Sequence, residues 1–148
     1  MGTVNASLGQ TVYFDANIII YAVEGFAVLE DQVKALLGAL GSREIVGITS
    51  ELTLAEVLVK PIRDGKVHLR RTYARFLQTT PAFQVIPIRR DILEGAAALQ
   101  ATTKLKLPDA IHLATSDIAN CDSFLTNDLL FKSTARANIK ILSEIDLR

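Results

Sequence analysis

Four acids scattered along the chain, Asp15, Glu56, Asp109 and Asp128, each stand just after a β-type run or in the opening of a helical one. Brought together, four like charges repel and raise one another's proton affinity unless a cation sits among them. With no Cys or His pair nearby, such a set of hard oxygens suits Mg²⁺ or Mn²⁺ rather than Zn²⁺. Two such ions, ~3.5–4 Å apart in nucleases generally, activate a water and stabilise the leaving oxygen of a phosphodiester. The chemistry implied is hydrolysis of RNA or DNA. Each acid also has an ordinary reading. Glu56 closes a capping box with Thr53, Asp109 favours a helix N-terminus, and Asp15 and Asp128 suit turns. Only their joint placement separates the two readings.

That placement depends on the elements. Thr11-Val12-Tyr13-Phe14 is a β-branched and aromatic run broken by Asp15-Ala16-Asn17, with a short apolar helix over 18–23 after it. Leu29, Val33, Leu36, Leu37 and Leu40 recur at helical spacing, giving an amphipathic helix over 28–40 that Gly41 can stop. A second strand is expected over 44–48, then a helix starting near Thr53 with Glu56 in its first turn and Pro61 near its end. Leu69, Tyr73, Phe76 and Leu77 mark another helical stripe, and residues 83–88 a third strand. Asp91 is placed to cap a helix carrying Leu93, Ala96, Ala97 and Gln100. Pro108 sits at the first position of a helix running to about Ala119. A strand over 123–126, a helical turn at 129–131 and a strand over 139–142 complete the pattern.

Five short apolar strands separated by helices call for right-handed crossovers and a mainly parallel sheet covered on both faces, a three-layer α/β/α sandwich. In such sheets ligands bind beyond the carboxyl ends of the strands, where the strand order reverses. All four acids are expected at that rim. Asp122, which precedes the fourth strand, belongs at the opposite one.

Composition fits a single compact unit: 148 residues, 49 % of them hydrophobic, with mean hydropathy +0.28. No linker, repeat or low-complexity tract divides it, so residues 11–148 are taken as one domain behind a frayed lead-in over 1–10. Sixteen basic residues balance sixteen acidic ones, so net charge makes no case for a polyanionic partner. The lone Cys121 cannot form an internal disulfide, and no stretch resembles a signal peptide or approaches the ~20 apolar residues of a membrane span. A cytoplasmic protein is expected.

Asp15-Ala16-Asn17, Thr53-Leu54-Ala55-Glu56, Leu107-Pro108-Asp109-Ala110-Ile111-His112-Leu113-Ala114 and Phe124-Leu125-Thr126-Asn127-Asp128 together resemble the PIN-domain family, most closely the VapC-type toxins of toxin–antitoxin pairs. The resemblance covers nearly the whole chain in order. It implies that Asp15, Glu56, Asp109 and Asp128 are catalytic and bind Mg²⁺ or Mn²⁺, with Asn17 and Thr126 as supporting polar residues. It also implies strand order 3-2-1-4-5, RNA as substrate, a homodimer, and a cognate antitoxin that blocks the site. The residues before Thr11 depart from the family pattern, whose members often begin almost directly with the first strand.

Three further features bear on function. His112, one turn beyond Asp109, is read as a packed or capping histidine in preference to a substrate contact. Lys60, Arg63, Lys66, Arg70, Arg71 and Arg75 form a basic stretch opposed only by Asp64. It either guides a phosphate backbone, with Lys60, Arg63, Arg70 and Arg71 foremost, or is a solvated helix face. The segments over 18–23 and from Val28 serve a dimer or antitoxin groove, or the core. Two rival functions remain: a non-catalytic PIN-like module binding RNA or protein, and an aspartyl-phosphate phosphohydrolase. The latter expects an acid two positions after its nucleophile, where this chain has Asn17.

Overall fold

In the computed structural model, which describes residues 3–147, five strands form one sheet. They are β1 (Thr11–Phe14), β2 (Val46–Ser50), β3 (Phe83–Ile86), β4 (Ser123–Thr126) and β5 (Ile139–Ile141). The order is β3-β2-β1-β4-β5 and every pairing is parallel. The seven α-helices among the described residues are α1 (Thr3–Leu8), α2 (Ala16–Glu24), α3 (Glu30–Gly41), α4 (Glu51–Arg63), α5 (Val67–Phe76), α6 (Arg90–Thr102) and α7 (Leu107–Ile118).

The period of two along a strand assigns them to two layers. Val12 and Phe14 of β1 and Leu125 of β4 face one core with Val4, Leu36, Val57 and Tyr73, contributed by α1, α3, α4 and α5. Tyr13 and Phe124 face the other, against Ile92, Ala96 and Leu99 of α6 and Ala110 and Leu113 of α7. The central strands β1 and β4 thus carry apolar side chains on both faces, and the helices that cover them give the expected α/β/α sandwich with order 3-2-1-4-5.

Several boundaries differ from expectation for local reasons. Within the lead-in, residues 1 and 2 lie outside the described part, but the rest is not frayed. Thr3–Leu8 is helical, Val4 and Leu8 are buried, and Ser123 Oγ donates to the Leu8 carbonyl at 2.5 Å. Gly9 then turns at φ 81°, where an added Cβ would lie 2.4 Å from that of Asp122. Strand β2 starts two residues later than expected, because the Glu44 and Ile45 amides still bond the Ala39 carbonyl closing α3. Strand β3 stops before Pro87, and β5 before a 3₁₀ turn at Leu142–Glu144.

Helix α4 begins at Glu51, capped by Ser50, whose Oγ accepts from the Leu52 amide at 3.0 Å. The capping box read at Thr53 therefore does not form: Thr53 is buried, with its hydroxyl 2.8 Å from that of Thr49. Glu56 falls in the second turn and is freed from that role. Helix α6 begins at Arg90 rather than behind an Asp91 cap, and Asp91 pairs with Arg89 at 3.2 Å. Its buried stripe is Ile92, Ala96 and Leu99, which leaves Leu93, Ala97 and Gln100 exposed.

Gly47 of β2 exists for packing. A Cβ there would meet the Phe83 ring at 2.4 Å, and that ring stands edge-on to Phe14 and Phe76 at centroid distances of 5.6 and 5.3 Å. Gly47→Ala is expected to cost about 1–3 kcal/mol, read as a fall in the denaturant midpoint with unchanged slope. An unchanged midpoint would refute this account of the β2–β3 contact.

Candidate active site

The chain reverses its direction across the sheet between β1 and β4, which leaves a crevice beyond their carboxyl ends. Asp15 leaves β1 there and caps α2. It is buried, its Oδ1 accepting from the Ala16 amide at 2.9 Å and its Oδ2 from the Thr126 hydroxyl at 2.7 Å. Asn17 donates to the same Oδ2 at 3.3 Å, and its Oδ1 accepts from the Asn127 amide at 3.1 Å. Thr126 Oγ1 in turn accepts from the Asp128 amide at 3.1 Å. Asn17 and Thr126 thus stitch the end of β1 to the end of β4. Asp128 caps the 3₁₀ turn Leu129–Thr134 through the Leu130 amide, so its turn role and its rim position coexist.

Asp109 lies in the first turn of α7. Partial burial, then the charges of Asp15 and Asp128, push its carboxyl up to about 6, with a smaller contribution from Glu56. Burial raises Asp15 as well, against the opposing pull of His112 and its hydrogen bonds. Mutual repulsion of this kind is felt only by groups that share a neighbourhood. The rim therefore gathers all four sequence-predicted acids.

Sequence reasoning understated His112. It is packed, with 1 % of its side chain exposed, but it packs inside the acidic site. Nε2 lies 2.6 Å from Glu56 Oε1 and 3.9 Å from Asp15 Oδ1, and Nδ1 lies 2.7 Å from the buried Tyr13 hydroxyl. Burial alone would lower the imidazole pKa, but Glu56, Asp15 and Asp109 outweigh it and the net shift is upward. The i, i+3 spacing from Asp109 was a legible signal that His112 shares its face. The partners in Tyr13 and Glu56, distant in sequence, left none.

Hard carboxylate oxygens around a crevice fit a divalent cation such as Mg²⁺ or Mn²⁺. Cys121, whose thiol burial pushes up to about 11, precedes β4 at the far rim, and the one imidazole in the cluster has both nitrogens engaged. Among the described residues no three His, Cys, Asp or Glu side chains converge as a ready-made ligand set. Glu56 is turned onto His112, and Asp15 onto Thr126 and its own helix.

The basic candidates lie on α4 and α5 and the turn that joins them. Arg70 and Arg71 line a groove of about 290 Å³ with Leu58, Val67 and Ala74, while Lys60 borders a separate cavity of about 40 Å³. Lys60, Arg63, Arg70 and Arg71 are exposed and form no ion pair among the described residues. Of the other segments weighed for an interface, Ile18 and Ile19 are core, whereas Val28 is 79 % exposed. Among the described residues no helix is long and apolar enough to cross a membrane.

A model of the PIN domain matches residues 12–137, from the first strand through the acid beyond the fourth. The chain belongs to the PIN domain family. Two solved structures show the extent of its likeness to other chains. A chain of a toxin–antitoxin complex from Klebsiella pneumoniae is 29 % identical, with a TM-score of 0.67 over 92 % of this chain and 100 % of that one. A chain of VapBC2 from Rickettsia felis, bound to a DNA fragment from its promoter, is 16 % identical, with a TM-score of 0.71 over 89 % and 98 %. The latter likeness is one of fold alone. No curated protein matches.

Proposed function

We propose that this PIN domain is a Mg²⁺- or Mn²⁺-dependent endoribonuclease, the VapC-type toxin of a toxin–antitoxin pair. The observation that carries the reading is the shared electrostatic neighbourhood of Asp15, Glu56, Asp109 and Asp128, in which Asp109 is pushed up to about 6. Family membership and the full-length likeness to a chain of the Klebsiella complex support it.

In this reading the four carboxylates hold the cations, and Asn17 and Thr126 keep Asp15 in place. The cations supply the positive charge that activates water and stabilises the leaving oxygen of the phosphodiester. Arg70 and Arg71, with Lys60 and Arg63, offer unpaired cations to the RNA backbone on its way to the rim. A cytoplasmic homodimer held in check by a cognate antitoxin belongs to the same reading.

Mapping cleavage ends in total RNA after induced expression, with Asp15→Asn as control, tests activity and identifies the target together. Purified protein should lose cleavage in excess EDTA and regain it with Mn²⁺, and full activity in chelator would overturn the mechanism. The rival reading, a non-catalytic RNA- or protein-binding module, draws on the lack of a converged three-donor set among the described residues. That module would show no saturable Mn²⁺ binding by calorimetry.

A further inference from the structure

We propose that Tyr13 and His112 form a buried relay whose role is to position Glu56 at the rim. The inference rests on the carboxylate-site reading above and adds two residues to it. Glu56 differs from the other acids. Asp15 and Asp128 are held by their own helix or turn caps, and Asp109 has a short side chain in a first helical turn. Glu56 is a longer, flexible side chain one turn into α4, a third exposed, and among the described residues its side chain's one hydrogen bond is with His112.

A carboxylate can only accept, so imidazole Nε2 must carry the proton it shares with Glu56 Oε1 at 2.6 Å. The Tyr13 hydroxyl, 2.7 Å from Nδ1, is the partner of that nitrogen in either charge state, donating to the neutral ring or accepting from the imidazolium. Tyr13 cannot swing away. It is wholly buried, and its ring stacks on Phe124 at 5.1 Å with planes 6° apart. The sheet thus holds the phenol, the phenol holds the imidazole, and the imidazole presents one N–H toward both Glu56 and Asp15. A histidine packed only for stability would have no need to reach from α7 to a partly exposed side chain on α4.

The test is Mn²⁺ affinity by calorimetry on the full chain, with circular dichroism as the fold control. His112→Leu is expected to weaken binding about 10–100-fold, the usual scale for losing a partner that orients a ligand. His112→Gln, whose amide Nε2 can stand where the imidazole Nε2 stood, should recover most of that loss. In a Glu56→Gln background, His112→Leu should cost nothing further, because there is no carboxylate left to position.

An equal loss in both backgrounds, or His112→Gln as weak as His112→Leu, would assign His112 to the core and overturn the relay. Should His112→Leu not fold, Tyr13→Phe taken through the same cycle decides the question. A wild-type chain that binds no Mn²⁺ overturns the carboxylate-site reading and the relay with it. Wild-type binding matched by His112→Leu overturns the relay alone.

Discussion

Asp15→Asn is expected to lower RNA cleavage by at least about 10²–10³-fold, the scale for removing a single preorganised group that stabilises a transition state. The substitution keeps the shape of the side chain, and its amide oxygen can still accept from the Ala16 amide that caps α2. Helix content should therefore hold, while the unfolding midpoint balances the loss of the Thr126 and Asn17 bonds to Oδ2 against the relief of a buried charge. Burial already disfavours the Asp15 charge, so neutralising it removes a cost from the metal-free fold. The combination distinguishes a catalytic carboxylate from a structural one. A turn aspartate would lose stability on substitution and leave cleavage per folded molecule unchanged. Single-turnover cleavage of one mapped RNA, beside thermal unfolding in EDTA, measures both quantities on the same preparations.

The second large effect is a pH-dependent stabilisation by the divalent cation. Asp109 titrates at about 6 in the folded protein against an ordinary value of 3.8, so the folded state binds its proton more tightly than the unfolded chain does. Below about pH 4 both states are protonated and Asp109 imposes no penalty. As pH rises through 6, the folded state must give up a proton it holds more tightly, and the metal-free protein loses stability. A cation reverses this by binding the deprotonated cluster.

Mn²⁺ at about 100 times its dissociation constant adds ~2.7 kcal/mol, or roughly 5–10 °C in Tm for a chain of this size. That shift should be large at pH 7.5 and shrink toward pH 5, where protons compete for the site. In EDTA, Asp109→Asn should flatten the decline between pH 4 and 6 and unfold at a higher temperature than wild type at pH 7.5. A Mn²⁺ shift equal at the two pH values, or untouched by Asp109→Asn, would show that the cation acts elsewhere.

Much of this architecture was legible because it depends on local chemistry and short-range pattern. The runs 11–14 and 123–126 carry apolar side chains on both faces because both faces of a parallel sheet are covered, and each is followed by an acid, Asp15 directly and Asp128 after Asn127. Where elements alternate this regularly, topology sorts acids by rim. Asp122 bears this out at the opposite rim, where its Oδ2 accepts from the Gln10 and Thr11 amides at 2.8 and 3.0 Å. Errors arose where two local signals competed. Ser50 and Thr53 are both sound caps, and the strand register that carries Ser50 to the end of β2 decided for Ser50. The residues before Thr11 look polar and short, yet two apolar side chains among them suffice to dock a helix on the core.

By itself, the sequence determined the layered α/β fold and the four acids that share one edge of it, since strand period, caps and crossover handedness are properties of neighbouring residues. Only the tertiary structure decided what surrounds those acids. The bond from Tyr13 to His112 spans 99 positions and that from His112 to Glu56 spans 56. No periodicity encodes such contacts, because they exist only once the two helical layers have closed over the sheet. The same closure turned Glu56 from a capping residue into a carboxylate held from behind by an imidazole, and placed Asp109 close enough to Asp15 and Asp128 to feel their charge.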